Sequence, residues 1–240
     1  QADKNVKHYT AVRILDPDNN EVTSIYDLRK QKIADIIKFN NKEICTTYVI
    51  KAVGNFIEKK IIMPEGNNKY TRYDLRGNLI YISDVNAGEK KYFYDINNNL
   101  RFEKNSSLET QGLCKYRMFD NVFRLIEEGI FKTALSDEEL QEKTSDALFP
   151  QSDRIISRKY YYDGDHSKKD MGMLTRIEAY SETPDNSIIN TVLIKTDKDN
   201  NTISKTFIIG ENTITNVNKY DNFGNVICKI GSDGKSLDYE

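Results

Sequence analysis

The sequence predicts an all-β chain of repeated antiparallel hairpins. Three observations carry this. A phrase of Tyr-Asp, two variable residues, Gly or Asn and an apolar stretch keeps returning. Its copies start at nearly even steps. The residues flanking it are aromatic or β-branched, the types that suit pleated strands. The clearest copies are YDLRGNLI from Tyr73 and YDNFGNVI from Tyr220.

Weaker copies extend the series: YDLRKQKI from Tyr26, IKAVGNFI from Ile50, YDINNNLR from Tyr94, FDNVFRLI from Phe119 and TDKDNNTI from Thr196. The starts at 26, 50, 73, 94 and 119 lie 24, 23, 21 and 25 residues apart, and 196 to 220 is again 24. Such a step is too short for helix-pair repeats. Between 119 and 196 the rhythm is disturbed, with a lone Tyr162-Asp163 pair in YYYDGD. Position five is Gly54, Gly77, Asn98, Asn200 or Gly224, residues that tolerate the left-handed backbone. A type I turn followed by a bulge needs one such residue. The Asp at position two (Asp27, Asp74, Asp95, Asp120, Asp221) can bond a backbone N–H two residues on and start the turn. Lys30 and Phe123 stand where Gly or Asn is expected.

One stretch departs from strand patterning. In SDEELQEKT, Ser136 and Glu139 form a capping-box signature, with Asp137 and Glu138 suited to a first helical turn. With few apolar residues, this predicts a short exposed helix of about two turns inside a helical loop inserted at 130–150. It reads as a surface decoration, with partner docking as the alternative. The chain reads as a single array over 1–240 with unfinished ends, hence a piece of a longer polypeptide.

Composition excludes several classes. With 240 residues, 15 Tyr, 10 Phe, no Trp and only short apolar runs, no membrane-spanning helix is predicted. No secretory signal opens the chain. A net charge of −2 gives no bulk attraction to nucleic acid. Cys45, Cys114 and Cys228 lack metal-type spacing and read as small packing residues. No nucleophile elbow, phosphate loop or zinc motif is present. His8 and His166 read as solvated. Asp163, Asp165 and Asp170 open like a calcium loop, but Lys168 and Leu174 occupy positions that need Gly and Glu. The expectation is no enzyme, no metal and no cofactor. Repeated Tyr reads as a packing ladder, with stacking platforms for sugars or bases as the alternative.

The phrase resembles the YD repeats of RHS proteins, bacterial polymorphic-toxin shells whose relatives include insecticidal toxin complexes and the animal teneurins. The residues that carry the resemblance are Tyr73, Asp74, Gly77, Asn78 and Leu79, then Tyr92, Tyr94 and Asp95, then Tyr220, Asp221, Gly224, Asn225 and Val226. Phe119, Asp120, Arg124, Leu125, Glu127, Glu128 and Gly129 match a further family wording. The resemblance implies a β-sheet ribbon spiralling into a hollow shell that encloses and helps deliver a toxin domain. It implies a secreted protein whose partners are the remaining repeats, the enclosed toxin and other toxin-complex subunits. The family's self-cleaving motif has no match here. The structural residues it singles out are Tyr26, Asp27, Gly54, Tyr73, Asp74, Gly77, Tyr94, Asp95, Asn98, Phe119, Asp120, Tyr162, Asp163, Tyr220, Asp221 and Gly224. The alternative reading is an extracellular module that recognises a host glycan or protein.

Overall fold

The computed structural model describes residues 9–17, 20–39, 42–64, 67–163, 172–181, 187–197, 199, 201–221 and 223–239. His8, His166, Asp165, Asp170, Asn200 and the turn at Pro184 lie outside these. Among the described residues the chain forms eighteen strands and two short helices. All the strand pairings that follow are antiparallel.

Two compact units divide the chain, one of Gln1–Tyr94 with Glu103–Thr110 and one of Asp95–Phe102 with Gln111–Glu240. The first contains β1 (Thr10–Leu15), β2 (Glu21–Tyr26), β3 (Lys32–Phe39), β4 (Lys42–Val53), β5 (Phe56–Ile62), β6 (Lys69–Asp74), β7 (Leu79–Asp84) and β8 (Gly88–Tyr94). Each pairs with the next in chain order, as hairpin connections dictate. Because side chains alternate, register partners line up as rows across one face. Ile14, Val22, Ile37 and Ile44 form an aliphatic row. Lys51, Glu58, Arg72 and Tyr81 form a row on the opposite face. There Glu58 pairs with Lys51 Nζ at 3.3 Å and with Arg72 Nε at 2.9 Å.

β9 (Leu100–Asn105) is shared between the units. Its end caps α1 (Ser106–Glu109), where the Asn105 side chain accepts from the Leu108 N–H. No helix was expected there. The second unit continues with β10 (Leu113–Phe119), β11 (Leu125–Lys132), α2 (Asp137–Lys143), β12 (Arg154–Tyr162), β13 (Leu174–Tyr180), β14 (Ile188–Thr196), β15 (Thr202–Ile209), β16 (Asn212–Tyr220), β17 (Val226–Ile230) and β18 (Ser236–Asp238). From β10 to β18 each strand again pairs with its successor.

The aromatic core lies in this second unit. Phe102, Phe131 and Phe149 pack with ring centroids 5.4–5.8 Å apart, and Tyr116 meets Phe131 edge-on at 6.1 Å. Phe102, Tyr116, Cys114 and Leu140 are fully buried. Phe149 and Leu140 come from the connection between β11 and β12, the predicted inserted loop. α2 begins where the capping box puts it: Ser136 accepts from the Glu139 N–H, and Glu139 accepts from the Ser136 N–H. Five of the seven residues of α2 are exposed, as expected, but the helix is more than a surface decoration. Burying one residue, Leu140, together with Thr144 at the helix end, ties this short helix into the core.

A buried cation holds the connection in place. Arg101 is 4% exposed. Its Nε donates to the Arg117 carbonyl at 2.9 Å, its Nη1 to Thr144 at 2.9 Å, and its Nη2 to Asp146 at 3.0 Å and Phe149 at 2.9 Å. Only the forked, planar guanidinium can satisfy four carbonyls spread over strand and loop. Burial pulls its pKa down, opposed by Asp95 and Asp146. Arg101→Met leaves those carbonyls without their donor. The expected cost is about 3–5 kcal/mol in urea unfolding, with new protease cleavage inside 133–153. A change below about 1 kcal/mol would remove Arg101 as the anchor.

Candidate functional site: the aspartate turns

The recurrent site is a turn built on one carboxylate. In seven places an Asp N–H donates to the carbonyl four residues on, at 2.9–3.0 Å: Asp16, Asp27, Asp74, Asp95, Asp120, Asp197 and Asp221. The Asp Oδ1 accepts from the N–H of that same fourth residue at 2.8–2.9 Å. It also accepts from the N–H two residues on, at 2.8–3.0 Å, in six of them. The Oδ2 takes a side-chain donor from position six: Asn20, Asn78, Asn99, Asn201 or Asn225 at 2.8–3.0 Å, or Arg124 Nε at 2.6 Å. One side chain thus caps N–H groups that the reversing backbone would leave unpaired.

Position five closes the turn. Its N–H donates to the Asp carbonyl at 3.0–3.2 Å in the copies with Lys30, Gly77, Asn98, Phe123 and Gly224. All five have positive φ: 61°, 88°, 65°, 65° and 84°. The strand registers shift just before the turn, as a type I turn with a bulge requires. Lys30 and Phe123 therefore adopt the left-handed conformation without being Gly or Asn, and that strain is carried by the other bonds of the turn.

Two sequence readings take a different geometry. Gly54 also has positive φ, 57°, but it lies in a two-residue hairpin: Val53 pairs with Phe56, and Lys51 sits within β4 opposite Glu58. The phrase from Ile50 is thus no copy of the aspartate turn, because it lacks the Asp. Asp163 has φ 66° itself and donates to the Met173 carbonyl at 3.0 Å, while the Gly172 N–H donates to its Oδ1. It anchors a longer connection. Asp163 is also gripped by Arg124, whose Nη1 reaches its two oxygens at 3.1 and 3.0 Å. The same guanidinium lies 4.5 Å over the Tyr162 ring. Arg124 so links the turn of Asp120 to the end of β12.

The position-one side chains differ in role. Tyr26, Tyr73, Tyr94, Phe119, Tyr162 and Tyr220 all lie at or next to the end of a strand leading into the turn. Lys32 Nζ lies 5.8 Å over the Tyr26 ring. Tyr162 donates to the Leu125 carbonyl at 2.9 Å, and Tyr220 to the Thr202 carbonyl at 2.8 Å. Both acceptors are position seven of an earlier copy, so the phenols bond one copy to the next. Sequence reasoning missed these bonds, as it missed the turns at Asp16 and Gly231. In the latter, Gly231 replaces Asp but the Gly231 N–H still donates to the Lys235 carbonyl at 2.9 Å. The Asn at position six recurs visibly and could have revealed the full motif.

Electrostatics favour the ionised form at Asp120 and Asp221. Burial raises the pKa of Asp120, but the backbone N–H and guanidinium of Arg124 and the Val122 N–H outweigh it and hold it below the ordinary aspartate range. The Asn225 amide and backbone N–H lower Asp221 in the same way. Saturated by their own turns, these carboxylates are placed for structure rather than proton transfer. The described residues hold no group of three or more His, Cys, Asp or Glu set to share a cation, and no helix long and apolar enough to cross a membrane.

No protein-family model matches the sequence, and no curated protein does either. Solved structures match its fold. The crystal structure of TcdB2-TccC3-Cdc42 aligns over 91% of this chain with a TM-score of 0.62 and 13% identity. The structure of the Photorhabdus luminescens Tc holotoxin pore, carrying a mutation in TccC3, aligns over 93% with a TM-score of 0.61, also at 13% identity. TcdB2-TccC3 without its hypervariable C-terminal region aligns over 92%, with a TM-score of 0.56 and 13% identity. This stretch of chain has the fold of those toxin-complex chains. It spans 11% of their length.

Two outcomes test the turn. A Cβ at Gly77 would meet nothing within 4 Å, so Gly77→Ala isolates the backbone penalty and should cost about 1 kcal/mol. Lys30→Asn should gain about 0.5–1 kcal/mol. Unfolding free energies that fail to move in opposite directions would sink the account. The pH dependence has a definite sign. Asp120 and Asp221 have folded pKa values below that of an ordinary aspartate, so their contribution is present above the ordinary value and is lost as pH falls through the lower folded values. Acid unfolding curves should show that loss, and Asp120→Asn should shrink it.

Proposed function

We propose that this chain is a section of wall in an RHS-type toxin-complex shell, and that in its parent polypeptide it helps enclose and deliver a toxin domain. The observation that carries the reading is the fold match over 91–93% of the chain to Tc toxin components. The turn chemistry suits the role. Each reversal is secured locally, so the array extends by adding hairpins without needing a globular core at every step. On this reading the segment contributes no catalysis. Its partners are the remaining repeats, the enclosed domain and the other subunits of a secreted complex. The alternative of a glycan- or protein-recognition module draws no support from the fold match.

The test uses the parent protein. Paired substitutions Asp74→Ala and Asp221→Ala loosen two turns without deleting a strand. Limited proteolysis should cut the enclosed domain faster in the variant than in the wild type, with the melting of the remaining chain followed in parallel. Equal digestion of that domain in both proteins, with the wall measurably destabilised, would overturn enclosure. Hydrolase, transferase or nuclease turnover by this segment alone would overturn the non-catalytic assignment.

A further inference from the structure

One face of the second unit carries a charged network that ends in a guanidinium with unused outer nitrogens. Register puts Glu127, Lys159 and Glu178 side by side across β11, β12 and β13. Glu127 lies 3.2 Å from Arg154 Nη1 and 4.0 Å from Lys159 Nζ. Glu178 is 7% exposed, and its Oε2 accepts from the Tyr161 and Tyr180 hydroxyls at 2.6 and 2.7 Å. Burial raises the Glu178 pKa, but those two hydroxyls, together with the charges of Arg176 and Lys159, outweigh it and hold the group below the ordinary glutamate range. Glu178 is a fixed negative charge with Oε1 left over.

Arg176 lies against that oxygen. Its Nε is 3.4 Å from Glu178 Oε1, an ion pair too poorly aligned for a hydrogen bond. Its guanidinium carbon lies 3.9 Å from the centroid of the Tyr161 ring, the register partner on β12. A ring on one side and a carboxylate at Nε fix the plane of the fork. Nε is buried, whereas Nη1 and Nη2 reach solvent and have no hydrogen-bond partner among the described residues; the side chain is 42% exposed. A second cation stands beside them. Leu193 is opposite Arg176 on β14, and Lys195, two residues on, shares its face. Such diagonal neighbours lie about 7–8 Å apart, within reach of long side chains. Lys195 is exposed and has no ion-pair partner among the described residues. Arg154, Lys159, Arg176 and Lys195 thus share only Glu127 and Glu178, and the surplus sits at Arg176 and Lys195.

We propose that Arg176 and Lys195 bind a phosphate-type dianion, free or as a monoester on a larger molecule. Two surplus positive charges match a group that carries about two negative ones at neutral pH. The fixed fork offers paired N–H groups to two oxygens of the anion and leaves a third for the ammonium of Lys195. A carboxylate has one charge and no third oxygen. Ser204, the register partner of Lys195 on β15, adds a hydroxyl at the border of the site. The proposal is independent of the shell reading.

The experiment titrates the full chain with inorganic phosphate, phenyl phosphate and acetate at constant ionic strength, followed by the backbone amide NMR shifts of β13 and β14. Phosphate should give saturable shifts centred on Arg176 and Lys195, and acetate should bind roughly tenfold more weakly or worse. Arg176→Lys, which keeps the charge but loses the fork, should weaken phosphate roughly tenfold. If that variant disturbs the sheet, Lys195→Gln changes an exposed side chain and should weaken phosphate likewise. Phenyl phosphate at least as tight as phosphate assigns the site to a monoester, and much weaker phenyl phosphate assigns it to the free anion. No saturable shift, shifts centred elsewhere, acetate as tight as phosphate, or full affinity in a folded Arg176→Lys or Lys195→Gln variant would overturn the proposal.

Discussion

The structure depends on a carboxylate that finishes a reversal. An antiparallel meander must turn after every strand, and each turn strands backbone N–H groups away from the ladder. Here one Asp Oδ1 collects the N–H groups two and four residues ahead, while Oδ2 holds the side chain at position six. The bonds are ionic on one side, so they are shorter and stronger than neutral ones. Because every bond falls within a few residues, the turn forms without tertiary help. The strands between turns are then free to be only partly buried, which is what the exposed aliphatic residues of β1 to β5 show.

Where the rhythm fails, a different device takes over. The connection between β11 and β12 carries no turn aspartate of the repeat type. It brings two apolar anchors, Leu140 and Phe149, and is fastened by Arg101. A guanidinium bonded to four carbonyls orders a strand and a loop far apart in sequence, at the cost of burying a charge. The core therefore sits under the interruption of the array and not under its regular part.

Much of the turn was legible in the sequence. Asp74, Gly77, Asp221 and Gly224 carry chemistry that acts over four residues, and local chemistry is written in local sequence. The capping box of Ser136 and Glu139 was legible for the same reason. Lys30 and Phe123 were not, since nothing in either side chain favours positive φ. They adopt it because the clamp of Asp27 or Asp120 on both sides leaves no other path. Gly54 was misread because a hairpin of two residues and a bulged turn both call for glycine, and only the pairing of Val53 with Phe56 separates them. The bonds from Tyr162 and Tyr220 to earlier copies were invisible, since they span 37 and 18 residues.

The sequence by itself determined the β class, the turns at Asp27, Asp74, Asp95, Asp120, Asp197 and Asp221 and the site of α2, because these follow from propensities and hydrogen bonds within one hairpin or one helical turn. The tertiary structure alone decided that α2 covers a core, that Arg101 is its anchor, that Arg124 ties Asp120 to Asp163, and that Arg176 and Lys195 share one face. Those outcomes depend on which residues the strand registers set side by side. A register is a property of pairs of strands, and a shift of one residue would move each of these side chains to the other face.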